Sequence, residues 1–422
     1  MEPGRKSSAS DMYMLATVLV LGFALRVSWW LYAQPVPVSD FHEYEVLGRA
    51  VADHGQLGYP RLSASRLPGF PVFLAAMMFF GRGLLWLSFT NVVLSVGVIA
   101  VTRQLAYRLS SGNAVLANLA GLLCALNPAF VFFSPVLASE ALFTLLLMSA
   151  LGLAIVNGGR GTMRLMAAGL ALGAATLTRG EGLFYLPAVL AASYVGPKLG
   201  MPLWRRTSLV TLALLLVIGP WYLRNVYYFG PGVGLSATAG VNLYFAHNPD
   251  QYGWWPDEPG ISRGSMLQAG REGTAYALRY VREAPSHLLE NAVKGSRELT
   301  RAANYGVHWS TIRDMGSEES GAPPVTADLA GRTAFMSLER KGWRFLAVLS
   351  IVALFFRKLI SRAAWTVIGF VLAGNWICFA LVFWAKPRFR YAPEAVLCIA
   401  GGVALLGLVG LFRRISLRMQ SG

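Results

Sequence analysis

Asp40, His42 and Glu43 crowd into the string Ser39-Asp40-Phe41-His42-Glu43-Tyr44. A carboxylate so placed can take a proton from an attacking hydroxyl, with Glu43 or His42 as a secondary acid or base. Asp and Ser are also preferred helix caps, so Ser39 or Asp40 could simply start the helix that Tyr44, Leu47 and Val51 predict by their spacing over residues 43–53. Glu140 is the lone charge in the stretch from Asn113 to Asn157. A carboxylate there is costly unless solvated or paired, so Glu140 is either a helix-start acid favoured by the macrodipole or a site residue facing Asp40 across a cavity.

Cations form the second set. Lys386-Pro387-Arg388-Phe389-Arg390-Tyr391 packs three of them into one short connection between apolar stretches, which points to an anionic ligand. Arg179 joins two apolar segments with Glu181 close behind it, so salt bridge and phosphate ligand are both open. Arg224, beside Trp221 and Asn225, is an interfacial anchor or a phosphate ligand. Arg26 lies within an apolar stretch and either snorkels to the surface or lines the same cavity.

The elements that position these residues belong in a lipid bilayer. A 422-residue chain that is 55% hydrophobic and 14% charged, with a mean hydropathy of +0.49, has too little charge to cover a soluble surface and too much apolar matter for disorder. Ten segments can cross about 30 Å of hydrocarbon: 12–33, 84–103, 113–133, 137–157, 163–178, 182–197, 207–229, 343–357, 363–384 and 392–412, of which the fifth, sixth and eighth are short. Cys124, Cys378 and Cys398 sit inside apolar runs, as small buried hydrophobes do. No internal repeat occurs, and the polar stretch 316–324 is the only biased tract.

The net charge of +16 is topological and does not signal nucleic acid. With the N-terminus inside, the inner pieces carry Arg5, Lys6, Arg103, Arg108, Arg160, Arg164, Lys198, Arg205, Arg206, Arg357, Lys358, Arg362, Arg413, Arg414 and Arg418, against Glu2 and Asp11 alone. That is the positive-inside pattern. It leaves every other acid, and all 5 histidines, on the outer face or at its boundary. The chain thus divides into an N-terminal transmembrane module, 1–229, whose first outer loop is 34–83, an outer cap, 230–342, and a C-terminal transmembrane module, 343–422.

Asp40-x3-Tyr44-x4-Arg49-x5-Gly55 followed by Arg66-Leu67-Pro68-Gly69-Phe70-Pro71 resembles the first outer loop of the polyprenyl-phosphate-dependent glycosyltransferases with the GT-C fold, the protein O-mannosyltransferase and aminoarabinose-transferase superfamily (glycosyltransferase family 39-like). The resemblance continues through Asn127-Pro128, Ser139-Glu140, Thr178-Arg179-Gly180, Pro220 to Asn225, Gly240 to Tyr244 and Asn248-Pro249, and closes with Arg390-Tyr391. It implies an all-α polytopic membrane enzyme of the plasma (inner) membrane, with cytoplasmic termini and its active site on the outer face. The family's Asp, usually followed by Glu, is here Asp40 followed by Phe41.

What the resemblance implies for the reaction is inverting transfer of a sugar from a polyprenyl phosphate to the hydroxyl of a lipid, glycan or protein acceptor. Asp40 is then the base and Glu140 orients acceptor or sugar. Arg66, Arg179, Arg224, Lys386, Arg388, Arg390 and Tyr391 are the candidates for the donor phosphate, and Tyr44, Asn242, Tyr244 and Asn248 for acceptor or sugar. Trp254 and Trp255 could stack on sugars or rest on headgroups. No cofactor is required, since the leaving phosphate is already a stable anion; a divalent metal is left open, although no Glu precedes Arg66 as the family's metal pattern would have it. Two other classes compete: a transporter or lipid flippase, whose charges would gather at the midplane rather than at the outer boundary, and a non-catalytic glycan-binding scaffold.

The charge pattern makes a direct prediction. Reporter fusions after Arg108, Arg206 and Arg362 report cytoplasm and fusions near Gly81 and Gly321 report the outside; a cytoplasmic 230–342 segment would contradict it.

Overall fold

The computed structural model describes residues 9–156, 161–195, 200–248, 252–253, 260–262, 264–314, 325–327 and 329–421. Pro249, Trp254, Trp255 and the polar stretch 316–324 lie outside the described residues. Among the described residues each of the ten apolar segments is largely helical, and five helices are long and apolar enough to cross a membrane: Ala9–Ala33, Leu84–Leu109, Leu203–Phe229, Arg362–Val382 and Pro387–Leu417. The other five segments are shorter or more polar than ten full spans require.

Local chemistry explains the shortening. Asn127 ends the helix Ala114–Leu126 and starts the helix Pro128–Phe133, its side chain accepting from the Ala129 amide at 3.0 Å, because proline disfavours helical backbone in the residue before it. The helix Glu140–Ala154 rises only about 22 Å, short of about 30 Å of hydrocarbon. The sixth segment divides into a 3-10 turn, Gly180–Tyr185, and the helix Leu186–Ala192. These short pieces lie inside the bundle: Leu116, Ala120, Leu147, Leu151, Ala188 and Val189 are all fully buried in one apolar core.

Small residues let the helices approach. A Cβ on Gly169 would lie 2.3 Å from the Val210 carbonyl oxygen, so the helix Gly161–Thr178 packs backbone to backbone on Leu203–Phe229. Gly69 opens the helix Gly69–Met78 against the end of that same helix, where a Cβ would stand 2.6 Å from Thr178 Oγ1. This contact sets the Arg66 loop beside Arg179. At the basic helix ends, arginines cap carbonyls: Arg108 donates to Gly152 O at 2.7 Å, Arg164 to the same oxygen at 3.3 Å, and Arg206 to Ser193 O at 2.6 Å.

Among the described residues of the cap segment are the helices Thr238–His247, Met266–Glu283, His287–Thr300 and Tyr305–Thr311, and a short antiparallel pair, Ile312–Asp314 with Val325–Thr326. The helix Arg332–Val352 follows and runs through position 342. Val241, Tyr244, Phe245 and Ala269 form a small second core with Trp384, tying this segment to the last hairpin.

Candidate active site

The helix predicted over residues 43–53 forms as Asp40–His54. Neither Ser39 nor Asp40 serves it as an ordinary cap: Ser39 makes no side-chain cap bond and holds φ 52°, ψ −130°, a left-handed backbone that costs a non-glycine residue energy. The strain leaves Asp40 as the first helical residue, with its carboxylate turned to two arginines. Arg66 Nη2 meets Asp40 Oδ1 at 2.6 Å, and Arg388 Nη2 meets Asp40 Oδ2 at 2.8 Å. Residues from the loop segment 34–83 and the last hairpin thus share one carboxylate.

Glu43, one turn further on, takes Arg66 Nε at 2.7 Å and the Ser65 hydroxyl at 2.5 Å, so Arg66 is forked between the two acids. The rest of its loop is held from the far side. Arg224 Nη1 donates to Ser63 O at 2.9 Å, Ser236 Oγ to Ser65 O at 2.7 Å, and the Ala237 amide to Ala64 O at 2.8 Å. Arg388 lies over aromatic rings, 5.5 Å from the centre of Phe41 and 5.2 Å from that of Trp309. Phe41, next to Asp40 in sequence, is therefore part of the wall that holds a cation. Trp309 is placed by Glu339, whose carboxylate accepts the amides of Gly306 and Val307 at 2.7 and 3.0 Å at the start of its helix.

A second cluster adjoins the first. Tyr44 OH lies 3.4 Å from Ser139 Oγ, which in turn lies 3.2 Å from Arg179 Nη1. The same Nη1 meets Glu140 Oε1 at 2.9 Å, and Arg179 Nε pairs with Glu181. Arg179 is thus ion-paired on both sides. Glu140 is buried, and with Thr144, Arg179, Glu181, Arg388 and Tyr391 it lines a small pocket of about 10 Å³.

Electrostatics follow from these partners. Burial alone would raise the Asp40 pKa, but the charges and hydrogen bonds of Arg66 and Arg388 hold it well below the usual carboxylate range. Lys386, with its ammonium 4.5 Å from the centre of the Trp384 ring, has its pKa pushed down to about 8, by burial first and by Arg388 second.

Other candidates go elsewhere. Arg390 turns inward, its Nε 2.7 Å from Glu394 Oε1, its Nη1 on the carbonyls of Leu299 and Arg301 at 3.0 and 2.8 Å, and its guanidinium 3.9 Å from the centre of the Trp343 ring. Tyr391 OH faces Ser95 Oγ at 3.4 Å. Arg26 neither snorkels nor reaches the pocket: it is fully buried and donates to Ser95 Oγ and to the carbonyls of Gly22, Ala125 and Cys124. His42 points away, 63% exposed, with Glu45 3.9 Å off. Arg224 reaches the loop backbone rather than Asp40, and stacks on Trp221 at 4.5 Å. Asn242 accepts from Trp384 Nε1 at 3.0 Å, Tyr244 OH accepts from the Gly260 amide at 3.0 Å, and Asn248 is buried; these three belong to the second core and its border.

A metal has little to bind here. Both Asp40 oxygens are already held by guanidinium groups, and no three His, Cys, Asp or Glu side chains gather into a possible metal cluster among the described residues.

No protein-family model and no curated protein matches the chain. Among solved structures it is similar to the archaeal oligosaccharyltransferase AglB from Archaeoglobus fulgidus in complex with an inhibitory peptide and a dolichol-phosphate, at 13% identity and a TM-score of 0.49 over 98% of this chain and 52% of that one. The chain therefore spans about half the length of the archaeal protein. It is also similar to ArnT from Cupriavidus metallidurans, at 16% identity and TM-scores of 0.43 in the apo state and 0.41 bound to undecaprenyl phosphate, over 94% and 95% of this chain and 76% and 77% of that one.

Trp309, Glu339 and Glu394 escaped the sequence reading. Only Glu394 left a signal there, standing four residues after Arg390, which is the helical spacing of an ion pair. The inward pairing generates a prediction: Arg390→Ala lowers stability in detergent by about 3–5 kcal/mol, because a buried Glu394 is left without its partner. Adding Glu394→Gln recovers most of that loss in thermal unfolding, while a stable single variant with weakened donor binding would return Arg390 to the phosphate site.

Proposed function

We propose that this chain transfers a sugar from a polyprenyl phosphate to an acceptor hydroxyl at the outer face of the membrane. The observation that carries the reading is the carboxylate of Asp40 set between Arg66 and Arg388, with Lys386 alongside. Two acids, Asp40 and Glu43, face three cations, so the group holds a surplus of one positive charge. That surplus suits a phosphate, and the carboxylate at its centre suits a proton acceptor.

In the reaction, the acceptor oxygen forms a bond to the anomeric carbon from the face opposite the phosphate, the carbon–oxygen bond to phosphate breaks, and the acceptor proton passes to Asp40. The configuration inverts. Negative charge grows on the departing lipid phosphate, where Arg66, Arg388 and Lys386 meet it. A carboxylate clamped by two guanidinium groups is a weak base. A phosphate that draws Arg388 or Arg66 toward itself relaxes the clamp and raises the proton affinity of Asp40, so the base strengthens when the donor is in place. Glu140, neutralising Arg179 in the adjoining cluster, belongs to the part of the site that holds acceptor or sugar.

Two experiments test this. Purified Asp40→Asn in nanodiscs remains folded and loses transfer by about 10²- to 10⁴-fold, the usual worth of a general base, whereas Glu43→Gln loses less. Near-normal turnover in the Asp40 variant would move the base. For pH, Lys386 is charged below about 8 and neutral above it, so half-saturating donor concentration rises as pH climbs through about 8, and Lys386→Arg, charged throughout, abolishes that rise. A flat donor dependence in the parent protein would remove Lys386 from the phosphate site.

A further inference from the structure

The small pocket beside Arg179 holds three buried polar atoms that the reaction as described leaves unused. Glu140 Oε2, Thr144 Oγ1 and Arg388 Nε have no hydrogen-bond partner among the described residues, and all three residues line this one pocket. Glu140 Oε1 is engaged by Arg179 at 2.9 Å and Arg388 Nη2 by Asp40 at 2.8 Å. Phe143, Phe389 and Tyr391 close the walls.

Thr144 is the informative member. It is fully buried, one turn below Glu140 on the helix Glu140–Ala154. Helical Ser and Thr hydroxyls in such places ordinarily bond back to the preceding turn. Ser149 on the same helix does so at 2.7 Å, and Thr176 and Thr178 on its neighbour do so at 2.8 Å. Thr144 does not. Leaving a hydroxyl, a carboxylate oxygen and a guanidinium N–H unmet in one buried place costs stability, and such a cost is tolerated where a ligand later meets the groups.

The donor and acceptor inventory selects that ligand. An anion would face Glu140 and a cation would face Arg179 and Arg388, while an apolar group would leave all three atoms unmet. A neutral hydroxyl donates to Glu140 and accepts from Arg388 at once, and Thr144 can take either role. The pocket volume of about 10 Å³ admits a group about the size of one water. We infer that Glu140, Thr144 and Arg388 form a subsite for one hydroxyl group of the reacting sugar substrates, an inference that rests on the proposed transfer reaction. Because Arg388 reaches Asp40 through Nη2 and the pocket through the same guanidinium, the hydroxyl belongs to a molecule whose reacting atom lies at Asp40. It comes from the donor sugar or from the acceptor.

The test uses the protein in nanodiscs, with lipid-linked sugars extracted from the source membranes as donor and the whole envelope fraction, its lipids included, as acceptor. Thr144→Val, which keeps shape and removes the hydroxyl, leaves the unfolding temperature unchanged or raised and lowers transfer at limiting substrate by about tenfold, the worth of one hydrogen bond. Thr144→Ser restores it. A rise confined to the half-saturating amount of donor assigns the hydroxyl to the donor sugar, and one confined to the acceptor assigns it there. Wild-type transfer by Thr144→Val, or a fall in unfolding temperature that accounts for the lost activity, overturns the subsite while leaving the proposed function standing. Absence of transfer by the parent protein from any lipid-linked sugar overturns both.

Discussion

A carboxylate shared by two arginines that are remote in sequence is the contact on which the site depends. Asp40 joins Arg66, within its own loop, to Arg388, at the opposite end of the chain. For the three to meet, the helix Asp40–His54 must start at a strained Ser39, the Arg66 loop must be gripped by Arg224, Ser236 and Ala237, and the last hairpin must be laid over Phe41 and Trp309. Removing one partner from a poorly solvated ion pair is costly, so the arrangement is held by all its members together.

Charge gives the site a direction. The rim group of Asp40, Glu43, Arg66, Arg388 and Lys386 carries a net positive charge, while the inner group of Glu140, Arg179 and Glu181 carries a net negative one. An anionic headgroup is attracted to the first and repelled by the second. Neutral hydroxyl groups can occupy the inner position, and Arg388 stands between the two. A lipid phosphate outside and a sugar hydroxyl inside is the orientation that this polarity favours.

The sequence carried the parts of this site that depend on local spacing. Asp40 and Glu43 one turn apart, the apolar segments and the concentration of cations from Lys386 to Arg390 could all be read in the chain itself, whereas the break at Asn127-Pro128 inside segment 113–133 was not. What could not be read is which cation faces which acid. Arg390 sits two residues from Arg388 yet pairs with Glu394, which waits one turn later, whereas Arg388 pairs with Asp40, an acid that folding alone brings near. Helix length was less legible: five helices among the described residues are long and apolar enough to cross a membrane, while apolar segments such as 113–133 and 137–157 hold the shorter helices Ala114–Leu126 and Glu140–Ala154, because hydropathy does not register the local breaks that end a helix.

The central claim is that a polyprenyl phosphate competes with Asp40 for its arginines. A cryo-EM map of the protein in nanodiscs containing undecaprenyl phosphate tests it most directly. The account predicts density for the phosphate within hydrogen-bond reach of Arg388 or Arg66 and beside Lys386, with at least one of the two arginine contacts to Asp40 lengthened or broken. A phosphate seated on Arg390 or at the Arg108 end of the bundle, with the Asp40 clamp intact, would contradict it.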